Sequence, residues 1–383
     1  MLRFLTAGES HGPALTVIID GVPANLPIEA ESINAELKRR QTGYGRGGRM
    51  SIESDRVLIT GGVRAGRTLG APLAFVIENK DWPNWSETMK PEPGKGELPR
   101  VTKPRPGHAD LAGMQKYDFT DIRDVLERAS ARETAARVVV GAVAKRLLAE
   151  INMAIESCVL AVGDISTSRS IAKKGDGGLA DKSDVRVLDN RAAIGIRKAI
   201  DDAAENGDTL GGVFEVVVFG APVGLGSYAQ WDRRLDGALA AAVMSIPAVK
   251  GVEIGKGFEI ARLPGSQAHD EIYYSRDHGY YRKTNRAGGL EGGITNGEPV
   301  RIKAAMKPIP TLGKPLQTVD VATKKPAKAT KERADVCAVP AASIVAEAMV
   351  AITMAGAVLD KFGGDSLPEF KTNFNSYLKR KGL

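Results

Sequence analysis

Residues 39–49 read Arg-Arg-Gln-Thr-Gly-Tyr-Gly-Arg-Gly-Gly-Arg, four arginines and four glycines in eleven positions. No carboxylate lies between Leu37 and Ile52, so nothing nearby in sequence balances that charge. A planar guanidinium donates paired hydrogen bonds to phosphate or carboxylate. Glycine lets the backbone approach a ligand and take up positive φ. The pattern therefore asks for an anionic partner, although such a stretch on its own is more often a solvated basic turn.

Three further stretches tip the balance toward an anion site. Gly8-Glu9-Ser10-His11-Gly12 holds a histidine between glycines, and Arg105-Pro106-Gly107-His108-Ala109-Asp110 holds another in a Pro-Gly turn. Arg128-Ala129-Ser130-Ala131-Arg132-Glu133-Thr134-Ala135 sets two more arginines around a Ser-x-x-Glu capping signature. A lone histidine usually serves structure. Here two of the chain's four histidines occupy rigid turns near arginines, which points to proton transfer beside an anion. Ser130 reads mainly as a helix cap; a capped helix start also offers free N–H groups to a phosphate. Asp335 precedes an apolar run and follows Arg333 closely, so it is either the ion-pair partner of Arg333 or a base beside a cofactor.

Several other chemistries find no support. Gly43-Tyr44-Gly45-Arg46-Gly47-Gly48 satisfies Gly-x-Gly-x-x-Gly, but it follows a helical segment and opens no clear helix, so it is not a dinucleotide fingerprint. One Arg-Gly-Gly between ordered segments does not make an RNA-binding tail. No metal site is expected, because the histidines are far apart and only Cys158 and Cys337 are cysteines.

Taken in order, these four stretches resemble the chorismate synthases. The likeness continues through Gly288-Gly289-Leu290-Glu291-Gly292-Gly293-Ile294-Thr295-Asn296-Gly297, Lys307-Pro308-Ile309-Pro310-Thr311 and Arg333-Ala334-Asp335-Val336-Cys337-Ala338-Val339-Pro340. It spans essentially the whole chain; one departure is Ala129, where many members carry serine. The resemblance implies an α+β fold with helices sandwiched between antiparallel sheets, one large domain over residues 1–383, and a homotetramer. It also implies an FMN-dependent anti-1,4-elimination of phosphate from 5-enolpyruvylshikimate 3-phosphate, giving chorismate without net redox change. This is the last common step of the shikimate pathway to the aromatic amino acids. His11 would protonate the departing phosphate, His108 would protonate or hold the reduced flavin, and Asp335 would keep flavin N5 basic. FMN contacts carry over to Arg128, Ala129, Ser130, Pro247, Ala248, Gly292, Lys307, Pro308, Ile309, Pro310, Thr311 and Arg333.

Substrate and cofactor together bring several anionic groups, and each guanidinium–phosphate contact at about 4 Å contributes roughly 4 kcal/mol before desolvation. One arginine cannot hold them all. Arg40, Arg46, Arg49, Arg132 and Arg333 are the candidates for a converging clamp. The resemblance places an NADPH contact at Arg40 and Arg46 as well; without a dinucleotide fold, NADPH is expected only as a source of reducing equivalents. The rival readings are a phosphate-binding flavin reductase and a basic nucleic-acid-binding protein. The second leaves both histidine turns and Asp335 unexplained, so neither nucleic acid nor membrane is expected as a partner.

The elements that must hold these residues can be read from periodicity. Strands are expected at 15–19, 56–60, 73–77, 213–219 and 300–306. Helices are expected at 30–40, 131–150, 192–206 (stopped by Gly207), 233–244 and 340–359, with Pro340 suited to a first turn. In the second helix Ala135, Val138, Val139, Ala142, Val143 and Leu147 share a face. Three long connections, 80–108, 269–292 and 307–335, each touch a motif and read as binding loops. The run 341–359, interrupted by Ser343 and Glu347, reads as a packed interior helix rather than a membrane span. Two cysteines, no signal-like start and a net charge of +7 fit a cytoplasmic protein with anionic ligands.

Overall fold

Alternation of buried and exposed residues along Ala14–Asp20 places that segment inside a sheet with one wet face. A computed structural model describes residues 2–47, 54–93, 100–277, 279–332 and 334–381. In it, β1 (Arg3–Ala7), β2 (Ala14–Asp20), β3 (Val57–Gly61) and β4 (Leu73–Glu78) form an antiparallel sheet in the order β1-β2-β4-β3. Leu15, Val17, Ile19, Leu73, Phe75 and Ile77 all turn to its inner face and are buried. A second antiparallel sheet has the order β7-β8-β6-β5, from β5 (Ala154–Val162), β6 (Gly212–Phe219), β7 (Val249–Ile254) and β8 (Val300–Met306), and the short strand Ile165–Ser166 adds a fifth at the edge beside β5.

Helices fill the space between these sheets. Those introduced here are α1 (Ala30–Gln41), α2 (Asp110–Tyr117), α3 (Thr134–Ala149), α4 (Asn190–Glu205), α5 (Leu235–Met244), α6 (Val339–Phe362) and α7 (Leu367–Lys381). Helix α3 packs on β1, β2 and α6, while α6 packs on β5 and β6, giving the expected sandwich. The two central helices cross closely at small residues: a Cβ added to Gly141 would stand 2.3 Å from the Ala348 Cβ. Helix α6 is long and apolar enough to cross a membrane, yet 78% of its most apolar window is buried inside the protein. Its mid-helix carboxylate, Glu347, is fully buried. It meets Arg39 at 2.8 Å, Lys145 at 2.5 Å, Arg186 at 3.4 Å and the Ser157 hydroxyl at 2.6 Å. Burial would raise its pKa, but these cations hold it well below the usual carboxylate range.

The expected strands and helices recur with ends shifted by up to three residues, and three differences have physical causes. The helix expected from residue 131 begins at Thr134 after a 3-10 turn, Ala131–Glu133. Ser130 caps that turn by accepting from the Arg132 N–H, while the Glu133 side chain pairs with Arg137 at 2.8 Å. The helix is also buried nearly all round, because it lies between a sheet and another helix. The connections at 269–292 and 307–335 are not unstructured. Each carries a hairpin, Ile272–Ser275 with Gly279–Arg282 and Gln317–Val319 with Pro326–Lys328.

Candidate active site

His11 lies in the turn between β1 and β2, and a buried carboxylate fixes its ring. Its Nδ1 stands 2.9 and 3.0 Å from the two Glu127 oxygens, and its backbone N–H donates to Oε2 at 2.8 Å. Burial alone would raise the Glu127 pKa. The hydrogen bonds and charge of His11, with Arg123 at 3.0 Å, hold it below its ordinary value, so it accepts and Nδ1 must carry the proton. Nε2 is then the atom that exchanges a proton. The imidazole stacks on Trp85 with centroids 4.0 Å apart, and Arg123 covers the Trp85 ring. Neither Glu127 nor Trp85 was singled out from sequence. The adjacency of Glu127 to Arg128 was the available signal, but its pairing with His11 spans 116 residues.

His108 is held in a similar way at the start of α2. Its Nδ1 is 2.5 Å from Asp110 Oδ1, and Arg105 grips the same carboxylate with Nε at 2.8 Å and Nη2 at 3.0 Å. Burial opposes ionisation of Asp110, yet His108 and Arg105 hold it far below the usual range. Asp110, the last residue of the Arg105–Asp110 stretch, is thus the group that orients His108. Arg105 Nη1 also donates to Thr311 Oγ1 at 3.0 Å, and Lys307 Nζ donates to the Gly107 carbonyl. The 307–311 segment therefore seats on the His108 turn. Ala248, at φ 69°, joins it because its carbonyl accepts from the Lys307 N–H at 2.9 Å.

The arginines converge, but with partners that local sequence did not supply. Arg40 is buried and donates to Thr134 Oγ1 and the Ala131 carbonyl, both at 2.9 Å. Arg132 meets Asp55 Oδ1 at 2.5 Å and Asn79 Oδ1 at 2.9 Å. Asp55 Oδ2 faces Arg40 Nη1 at 3.7 Å, and neither atom has a hydrogen bond among the described residues. Burial, reinforced by nearby Arg46 and Arg132, pushes the Arg40 pKa down to about 10. Arg46 pairs with Asp335 at 2.7 Å, and the other Asp335 oxygen accepts from the Gly47 N–H at 2.7 Å. The expected partner Arg333 lies outside the described residues, as does Arg49; the observed partner of Asp335 is Arg46. Arg40, Arg46 and Arg132 thus converge beside Asp55 and Asp335. Arg39 is instead structural, bound to Glu36, Asp181 and Glu347.

Asn79 ties this cluster to the His11 turn, donating to the Gly12 carbonyl at 2.6 Å. Ser130 Oγ donates to Ser10 Oγ at 3.1 Å, which adds a second link. Arg128 reaches back to the Gly8 and Thr6 carbonyls at 3.0 and 2.8 Å. Its partners among the described residues are neutral. Arg128 and Ala129 line an open pocket of about 460 Å³ with Pro247, Phe4, Arg137 and Met349. Phe4, Pro247 and Met349 give the pocket an apolar side, while Thr6, Arg128, Glu133, Arg137 and Ser245 line its polar side, a mixture that suits a flat ligand with a charged group. Pro308, Ile309 and Pro310 follow Lys307 within the segment on the His108 turn; the Ile309 carbonyl accepts from Thr209 Oγ1 at 2.7 Å. Gly292 does not join this group through any contact among the described residues. It sits on the hairpin at the N-terminal end of α5, where the Leu235 N–H donates to the Gly293 carbonyl at 3.0 Å. Pro247 follows the other end of that ten-residue helix, about 15 Å away.

Cys158 and Cys337 are buried, and burial pushes their thiols up to about 12 and about 11. Neither serves as a nucleophile at neutral pH. No group of three or more metal-ligating residues occurs among the described residues.

Comparison with known proteins gives a uniform result. The family model for chorismate synthase matches residues 2–359. The chorismate synthase of Geobacter metallireducens is 57% identical over 99% of this chain and 98% of its own length. That of Syntrophotalea carbinolica is 58% identical over 98% of this chain and 97% of its own length. A crystal structure of chorismate synthase superposes with a TM-score of 0.80 at 44% identity, covering 99% of this chain and 98% of that one.

Proposed function

The chain belongs to the chorismate synthase family, and on that premise we propose that it eliminates phosphate from 5-enolpyruvylshikimate 3-phosphate to form chorismate. The observation that carries the reading is the convergence of Arg40, Arg46 and Arg132 around Asp55 and Asp335, tied through Asn79 to the turn of a histidine whose tautomer Glu127 fixes. Such a cluster binds a polyanion, because each added negative charge relieves repulsion among buried guanidinium groups. Arg49 and Arg333 are further members of the proposed clamp.

His11 holds the phosphate-leaving proton at Nε2, since Glu127 occupies Nδ1. His108, set by Asp110 and Arg105, holds a second proton beside the 307–311 segment. Asp335 fixes Arg46 and Gly47 and is the candidate to hold a proton beside the cofactor. The family uses a flavin, and reduced FMN is the form proposed here; when bound it lends transient electron density to the allylic system as phosphate departs. Arg128, Ala129, Ser130, Pro247, Ala248, Gly292, Lys307 through Thr311 and Arg333 are proposed to hold it. NADPH enters only as a source of reducing equivalents. We further propose one functional unit over residues 1–383, assembled as a homotetramer and working in the cytoplasm. The main apolar core, which runs from the first sheet to α7, supports the first of these.

The test is anaerobic turnover with catalytic reduced FMN. Phosphate and chorismate should appear in equal amounts over many cycles, and oxidised FMN should give no product. Consumption of one reductant per product would overturn the reading in favour of a reductase.

A further inference from the structure

A second cavity, of about 840 Å³, opens between residues 168–172, the 176–183 turn and the first half of α4. None of its lining residues belongs to the site above. It is larger than the pocket beside Arg128 and falls in the size range of small-molecule sites. Three cations line it: Arg169, Lys182 and Arg197. The one carboxylate in the lining, Asp176, is already engaged, accepting from the Ala172 and Lys173 N–H groups at 2.9 and 3.0 Å. Arg197 is held by Asp184 at 2.7 Å. Arg169 and Lys182 have no carboxylate within ion-pair distance among the described residues. The Ser183 hydroxyl oxygen is buried there without a hydrogen-bond partner among the described residues. Val187 and Ala193 are buried apolar residues of the wall, and Leu179 and Ile194 are largely exposed. No aromatic side chain lines the cavity, so it offers no stacking surface for a nucleobase. Free cations, an orphan hydroxyl and an aliphatic wall together suit a small carboxylate with an apolar ring.

The same wall clasps the arginine loop. Lys182 and Ser183 lie between Asp181 and Asp184. Asp181 accepts from Arg39 at 3.0 and 3.2 Å, and the Asp184 carbonyl accepts from the Tyr44 N–H at 2.8 Å. Tyr44 Oη donates to Asp201 of α4 at 2.8 Å. The segment held in this way carries Arg40, in the last turn of α1, and Arg46 beyond it. We propose that the cavity binds a ring-bearing carboxylate, and that its occupancy alters affinity at the arginine clamp through residues 181–184. The coupling rests on the proposed function; the binding does not.

The probe is 4-hydroxybenzoate, titrated calorimetrically into the full-length protein, with inorganic phosphate as a competitor. Binding should weaken at least about tenfold in the double variant Arg169→Ala/Lys182→Ala, the loss of a charge-assisted contact. Both side chains are exposed, so folding and basal kcat should be unchanged. Phosphate should compete poorly. Saturating probe should shift the substrate KM by about fivefold or more in the wild type and not in the variant. No binding heat at millimolar probe, binding undiminished by the double substitution, or phosphate competing as well as the probe would overturn the site. An unchanged KM with probe bound would overturn the coupling. Failure of the elimination assay with intact probe binding would count against the proposed function alone.

Discussion

Asp55 is the group on which the arginine cluster turns, and Asp55→Asn isolates its charge. Its side chain is fully buried, with Arg132 at 2.5 Å and Arg40 at 3.7 Å. The amide keeps the shape and removes the negative charge, leaving two buried guanidinium groups facing each other with Arg46 close by. Breaking a buried pair on one side costs about 3–5 kcal/mol. With an unfolding entropy of about 2.1 cal/mol/K per residue, a chain of 383 residues loses roughly 4–6 °C of Tm for that cost. Anions should then restore what the carboxylate supplied. Differential scanning calorimetry over a phosphate series should show the variant gaining more Tm per decade of phosphate than the wild type, which controls for general salting effects. An unchanged Tm, or a phosphate response no steeper than wild type, would refute the view that Asp55 stands in for ligand charge.

Other outcomes follow from the same geometry. His11→Ala should lower kcat by about 10²–10⁴ while flavin binding, read by fluorescence quenching, stays intact; wild-type turnover would remove His11 from the reaction. Gly141→Ala places a Cβ 2.3 Å from that of Ala348, so it should cost about 1–3 kcal/mol or more in urea unfolding. A neutral result there would mean that α3 and α6 can separate freely. Glu127 and Asp110 have depressed pKa values in the folded state, so the stability they contribute is present above roughly pH 4 and lost as pH falls through their folded values. Asp110→Asn should therefore flatten the acid limb of the pH–stability curve, measured by urea unfolding across a pH series; an unchanged acid limb would show that Asp110 contributes nothing there.

Much of the fold was legible because it is written locally. Alternation along 14–20 and 73–78 and helical spacing along 134–149 each reflect a face turned to the core. The strands Arg3–Ala7, Ala154–Val162 and Val249–Ile254 were missed. The first and third are sheet edges, where only one neighbour constrains the pattern, and the second has adjacent buried residues that break strict alternation. The histidine turns and the arginine stretch were also visible, since residue type and rigid spacing are sequence properties.

Charge pairing was not legible. Residues 39–49 looked unbalanced, yet Glu347 reaches Arg39 across 308 positions, Asp335 reaches the Gly47 N–H across 288, and Asp55 reaches Arg132 across 77. The sequence by itself determined which residue types were available, the local elements that carry them and the family they resemble. Only the tertiary structure decided that Arg39 belongs to the core, that Arg40, Arg46 and Arg132 form one cluster, and that Glu127 and Asp110 set the two histidines. Backbone preference and hydrophobic period act over a few residues, whereas electrostatic and hydrogen-bond partners are chosen by distance in space, which exists only once the sheets and helices have packed.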